Sequence, residues 1–356
     1  MQFVEGFLLL NTVLAAWPTK ILAPYCDLST ANPLDINILY NKTGIPYWTI
    51  GPIVADNSGK PAWGGNTAIA KKFYLDNIAK LRKSGGDVIL FFGGSGTEIA
   101  KDATDAVELQ KSYQSIIDVY SATYITISIQ AASLDNNNKT IDVRNQALAG
   151  LQTANPDLKI SYTLPTYISG LDYTGIQILE SAKKFKVNLS SVNLVTDDFQ
   201  EKGTVLDGEN GMGKYAIQAA NGTINQLKQL KFQGTGVGFA PTIGQNNIKT
   251  QIFQLKNAEE VVNYSLKNEQ ISVIAYNSIN RDNNNKLTKD SVVSGVEQDL
   301  YGFATIFKKW AGIEKKTDVT PFVPPTQTNP SSPSPTSGGS AVRIDMIAFV
   351  MLLFSF

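Results

Sequence analysis

"YITISIQAAS", residues 124–133, alternates strictly: Ile125, Ile127 and Ile129 on one side of an extended chain, Thr126, Ser128 and Gln130 on the other. Period-2 alternation with β-branched residues predicts a strand. What its row of small neutral polar groups faces decides how the rest of the chain is read. Similar short apolar runs recur at 21–25, 47–55, 87–94, 159–166, 192–199, 237–244 and 271–279, and amphipathic helical patterns lie between most of them. Eight strand-then-helix units over residues 19–313 predict the α/β class, as a single (β/α)8 TIM barrel. A doubly wound open sheet is the competitor, and it lacks a Gly-x-Gly-x-x-Gly turn after the first strand. In a closed barrel the inner row of the fourth strand meets other side chains rather than bulk water. Its upper end reaches the C-terminal mouth, where barrel enzymes hold catalytic groups, and polar groups there need partners or a ligand.

Composition removes several functions. The 356 residues carry 31 basic and 31 acidic side chains and no histidine. Zero net charge leaves no electrostatic footprint for nucleic acid, and the missing imidazole excludes serine–histidine triads and histidine-bound metals. The single cysteine, Cys26, excludes an intrachain disulfide framework and any cysteine-based metal site. No metal and no cofactor is expected.

Both ends read as addresses. Residues 1–16 resemble a signal peptide, with the apolar run "FLLLNTVLAA" ending in small residues, although Glu5 stands where a basic residue is usual. A buried first helix is the other reading. Residues 314–340 form a Pro/Ser/Thr-rich linker that cannot bury a core. Residues 341–356 end in "MIAFVMLLFSF"; with Ser337, Gly338 and Gly339 upstream, they fit a glycolipid (GPI) anchor signal. The expectation is a secreted protein at the cell surface or cell wall, touching membrane only through a lipid anchor. Sequons at Asn41, Asn138, Asn188, Asn221 and Asn263 agree with that route.

The chain resembles glycoside hydrolase family 18, the chitinases, most closely their bacterial-type branch. The likeness runs through "APYCDLS" (23–29), "KPAWGG" (60–65), "SGGDVILFFGG" (84–94), "DVRNQALAGLQTANPDLKISYTLP" (142–165), "GKYAIQAANGTINQLKQL" (213–230), "APTIGQNN" (240–247) and "NSINRD" (277–282). The family's Asp-x-x-Asp-x-Asp-x-Glu signature on the fourth strand is matched here by "TYITISIQ", with Thr123, Thr126, Ser128 and Gln130 at its acidic positions. The resemblance implies that the glutamate matched by Gln130 would protonate the glycosidic oxygen. The aspartate matched by Ser128 would orient the substrate's acetamido group in a substrate-assisted reaction. A glutamine amide still hydrogen-bonds but has no acidic proton at physiological pH. The family's sixth-strand Asp-Tyr is matched by Asp198 and Phe199, and its eighth-strand tryptophan by Asn277, with Tyr276 beside it. Phe91 stands where the family is usually small and polar.

The expectation drawn from this is a catalytically inactive chitinase-like pseudoenzyme that binds a chitin-like or other cell-wall glycan. Its candidate ligand-binding residues are Trp63, Asp198, Phe199, Gln245, Asn246, Tyr276, Asn277 and Arg281. One alternative is an active glycosidase with a relocated acid, drawn from Asp135, Asp197, Asp198 and Asp282. Another is a protein-binding wall component or enzyme inhibitor.

Overall fold

The computed structural model describes residues 17–94, 96–130, 138–199, 206, 208, 211–284 and 293–314. The address segments and Asp135 lie outside them. Eight parallel strands follow one another round a ring: β1 (in two pieces, Ile21–Leu22 and Tyr25–Asp27), β2 (Tyr47–Ala55), β3 (Asp87–Gly94), β4 (Tyr124–Ile129), β5 (Lys159–Tyr167), β6 (Leu189–Val195), β7 (Gly236–Ala240) and β8 (Ile271–Ile274). The break in β1 closes the ring. Its first piece pairs with β8 (Ile21↔Val273) and its second with β2 (Tyr25↔Thr49). The barrel expectation holds, and the open sheet does not.

Eight helices alternate with the strands: α1 (Ile36–Thr43), α2 (Leu75–Lys83), α3 (Ala106–Tyr120), α4 (Asn138–Ala154), α5 (Tyr173–Lys184), α6 (Met212–Gln229), α7 (Leu255–Leu266) and α8 (Gly302–Ala311). Several begin on a side-chain cap. Asp105 accepts from the Val107 and Glu108 amides of α3, and Asp172 from the Gly175 amide of α5. Such caps contribute about 1 kcal/mol each. Outward residues of the strands, including Ile125, Ile127 and Ile129, are fully buried beneath the helices. Each such aliphatic side chain contributes roughly 1.5–3 kcal/mol on burial.

The inward row of β4 meets other polar rows rather than water. The Thr126 and Thr163 hydroxyls bond each other at 2.9 Å, and the Tyr124 and Ser191 hydroxyls at 3.3 Å. Ser191 Oγ donates to Asn193 Oδ1 at 2.9 Å, and Asn193 Nδ2 reaches Ser161 Oγ at 3.4 Å. A glycine makes this amide possible: a Cβ at Gly238 would lie 2.2 Å from Asn193 Oδ1. The register that places Thr126 beside Ser161, and Ser128 beside Thr163, follows directly from the shared parity of "YITIS" and "KISYT". At the N-terminal end, Trp17 plugs the ring. Its indole packs on Tyr47 (4.9 Å) and edge-on to Tyr124 (5.3 Å), and its Nε1 donates to Thr123 Oγ1 at 3.0 Å. The barrel is therefore open only toward the ends of the strands that carry Gln130, Val195 and Ala240.

Candidate active site

A cavity of about 270 Å³ occupies the open end, lined by residues of β1 to β7 and by Ala275 and Asn277 just past β8. Thr126 and Gln130 form its β4 wall, Thr163 and Asn193 continue it on β5 and β6, and Thr242 and Asn277 complete it beyond β7 and β8. Tyr25, Thr49 and Phe91 form the opposite side. Of the four positions matched to the acidic signature, Thr123 lies at the plugged floor, where its hydroxyl donates to Asp87 Oδ2 at 3.2 Å. Ser128 is fully buried and accepts from Gln130 Nε2 at 2.8 Å. Gln130 alone of the four reaches the rim, and it brings an amide there.

Two carboxylates line the cavity: Asp27 on the β1 side, whose Oδ1 accepts from the Ser29 amide and hydroxyl at 2.8 and 2.6 Å, and Asp197 on this polar wall, two residues past the end of β6. Burial pushes its carboxyl up to about 6, helped by Asp198; a hydrogen bond from Thr242 and the charge of Arg281 pull the other way. The Thr242 hydroxyl donates to Asp197 Oδ2 and in turn accepts from Asn277 Nδ2 at 3.1 Å. Asn277 is thus the outer end of a short relay that fixes the Asp197 carboxyl. A carboxyl that titrates near 6 and faces a cavity has the properties of a general acid at mildly acidic pH.

The other candidate residues are placed differently. Asn277 lines the cavity. Trp63 sits in a short antiparallel addition to β2 (Pro61–Trp63), is 2% exposed, and donates from Nε1 to the Tyr120 hydroxyl at 2.8 Å. Phe199 is 2% exposed and packs against Tyr215 of α6, and Tyr276 is wholly buried against Phe307 of α8, with ring centroids 5.2 Å apart. All three rings point out of the ring of strands, so none can touch a ligand in the mouth.

Asp198, at φ 43°, is turned away too. Its Oδ1 accepts from the Ile248 amide at 2.7 Å and its Oδ2 from Asn247 Nδ2 at 2.6 Å. An ion pair between Asp198 and Arg281 does not form; Arg281 Nη2 instead donates to the Gln245 carbonyl at 2.6 Å. Gln245 and Asn246 cap no helix. They staple the loop after β7, with Asn246 Nδ2 donating to the Thr242 and Gly244 carbonyls at 2.9 and 3.0 Å and Gln245 Nε2 to the Lys249 carbonyl at 3.2 Å. These four residues form a loop scaffold beside the mouth. The sequon residues Asn41, Asn188, Asn221 and Asn263 are exposed. Asn138 begins α4, and its side chain lies outside the described residues.

Sequence reasoning missed Thr163, Asn193 and Thr242 as cavity residues. Their parity carried the signal for the first two, since each follows an outward aliphatic or aromatic residue on its strand. Thr242 lies past β7, where alternation no longer applies.

No family model matches the chain. Its relatives include a probable bifunctional chitinase/lysozyme of Escherichia coli K12, 27% identical over 283 residues, covering 75% of this chain and 31% of the relative. Endochitinase 11 of Metarhizium anisopliae is 26% identical over 287 residues, covering 75% of this chain and 53% of the relative. The chain thus spans about a third to a half of these proteins' lengths. Among solved structures, the catalytic domain of the hyperthermophilic chitinase of Pyrococcus furiosus matches with a TM-score of 0.72 and 27% identity, over 83% of this chain and 96% of that domain. Catalytic-site mutants of the same chitinase, complexed with chito-oligosaccharides, match equally well, at 26% identity. The chain therefore has chitinase-type homologues in both sequence and structure, as its resemblance to family 18 implied.

These relatives overturn the expectation of a non-enzyme. They are chitinases, including solved catalytic domains, whereas the inference of inactivity rested on the neutral "TYITISIQ" positions and on Phe199, Asn277 and Phe91 at the other matched positions. The neutral signature does not empty the mouth of carboxyls, since Asp27 and Asp197 both line the cavity.

Proposed function

We propose that this chain, a relative of chitinases, is a glycoside hydrolase acting on chitin-like glycans, with Asp197 as its relocated general acid. The carrying observation is the position of Asp197: a carboxyl raised to about 6 that faces the cavity and is held by Thr242 and Asn277. In the proposed reaction Asp197 donates its proton to the glycosidic oxygen as the bond to the anomeric carbon breaks. The carbonyl oxygen of the substrate's own acetamido group takes the leaving group's place, a substrate-assisted route that needs no protein nucleophile. Water then attacks the anomeric carbon, reopening the acetamido ring, and gives its proton to the Asp197 carboxylate. Gln130 and Asn193 supply amide groups able to orient the acetamido group, and neither has to ionise for this.

Part of this reading is the setting. An exported, surface-tethered chain that meets cell-wall glycan is supported by the apolar run at 7–16, the linker and apolar tail from 314 onward, and the five sequons.

The test is hydrolysis of chitin oligosaccharides by the purified chain and by Asp197→Asn, followed by product release. The proposal expects slow turnover in the first that the substitution lowers by about 10²–10⁴-fold. Absence of product from the unaltered chain, or equal rates in both proteins, overturns it.

A further inference from the structure

The cavity's two sides differ in chemistry. Thr126, Gln130, Asn193 and Asn277 present hydroxyls and amides, whereas the β1–β3 side adds to Asp27, Ser29 and Thr49 two aromatic rings, Tyr25 and Phe91, with centroids 4.9 Å apart at 49°. Phe91 points inward at the level of Thr126, its register partner on β4, while its neighbours Leu90 and Phe92 are fully buried on the outside. Two glycines hold its place open. A Cβ at Gly51 would lie 2.8 Å from Phe91 Cβ, and one at Gly94 would lie 2.9 Å from Phe91 Cε1. The ring is therefore clamped between backbone on two sides and Tyr25 on a third, with its remaining surface turned to the cavity.

A pyranose ring has an apolar face of C–H bonds and a polar rim of hydroxyl and amide groups. It fits a slot with aromatic rings on one side and hydrogen-bonding groups on the other. We infer that Phe91, backed by Tyr25, is the stacking wall for one pyranose unit of a chitin-like glycan, and so a specificity-determining residue of this cavity. The volume of about 270 Å³ lies just under the range of roughly 300–1,000 Å³ typical of small-molecule pockets, in keeping with one sugar ring seated in the mouth. The inference rests on the proposed glycan-hydrolase reading of the same cavity, and its test separates the two.

Calorimetric titration with the trimer of N-acetylglucosamine, in the Asp197→Asn background to prevent turnover, measures binding alone. Phe91→Leu keeps apolar volume and removes the aromatic face; Phe91→Tyr keeps the face. The expected result is binding about tenfold weaker in the leucine variant and within about twofold of the parent in the tyrosine variant. In the otherwise unaltered chain, KM should rise for Phe91→Leu with kcat nearly constant. Equal or tighter binding by Phe91→Leu means the ring fills the slot rather than serving it, and overturns the inference. Binding of the trimer by neither the Asp197→Asn parent nor the unaltered chain also overturns it. Tenfold loss of binding in a chain that shows no hydrolysis upholds the stacking wall and removes the hydrolase reading.

Discussion

Asp197 follows β6 and Asp282 follows β8, and burial pushes both carboxyls up to about 6. Asp282 spends both oxygens on structure. Its Oδ1 accepts from the Phe303 amide at 3.0 Å and Gln298 Nε2 at 3.2 Å, and its Oδ2 from the Ala304 amide at 2.8 Å and the Tyr276 hydroxyl at 3.0 Å. Four donors at the start of α8 leave it no direction in which to deliver a proton. Asp197 has one hydroxyl donor and an open side toward the cavity. The contrast teaches that a raised carboxyl becomes a candidate acid only when it also has unspent hydrogen-bonding capacity facing a ligand-sized space.

Exchanging the two carboxyls for amides should split function from stability. Asp197→Asn is expected to remove about 10²–10⁴-fold of the hydrolysis rate without lowering the denaturation midpoint, since it removes a charge that burial disfavours. Asp282→Asn should do the reverse, and a matched loss of rate in both variants would erase the distinction.

A third buried carboxyl sharpens the comparison from the structural side. Glu98, fully buried behind β3 and β4, accepts from Arg144 Nε at 3.0 Å, the Tyr113 hydroxyl at 2.6 Å and the Ala100 amide at 3.0 Å. Glu98→Ala strands the Arg144 guanidinium in the core and should destabilise the fold by about 3–5 kcal/mol in urea denaturation. A loss under 1 kcal/mol would mean that water reaches the pair.

The pH dependence of stability has a fixed sign. Asp282 binds its proton more tightly folded (about 6) than at the ordinary value of 3.8. The native state therefore holds more protons between those values, and its stability falls as pH rises through them. The buried carboxyl's share is on the order of 3 kcal/mol, lost by pH 7. Asp197, raised to the same value, adds a share of the same sign, so Asp282→Asn should reduce the slope of the stability curve between pH 4 and 6 by about half, as read from urea midpoints. A curve as steep as that of the unaltered chain would contradict this assignment.

The smallest expected effect concerns the polar interior. Thr126→Val removes the partner of the Thr163 hydroxyl and should cost about 1 kcal/mol in stability. Turnover should change little, since Thr126 carries no proton in the proposed reaction.

The fold was legible because its signal is periodic. Ile125, Ile127 and Ile129 occupy the outer face as alternation requires, and Thr126 and Gln130 the inner. Past the strand ends alternation gives no guide, and there Asn277 was legible only through the family resemblance, which matched it to the eighth-strand tryptophan. Phe199 follows Asp198, whose left-handed backbone (φ 43°) turns the chain and sends the ring against α6. Tyr276, one residue from Asn277, turns outward against Phe307. Asp197 stood among several carboxylates near strand ends. Which of them kept an open side depended on Asn247, Ile248 and the start of α8, partners far away in sequence.

The most direct measurement is the pH–rate profile of chitin-oligosaccharide hydrolysis from pH 4 to 8. A general acid at Asp197 predicts a rate that falls with a single limb near pH 6 and keeps that limb in Asp282→Asn. A profile that is flat across this range, or a limb that vanishes with Asp282 rather than with Asp197, contradicts it.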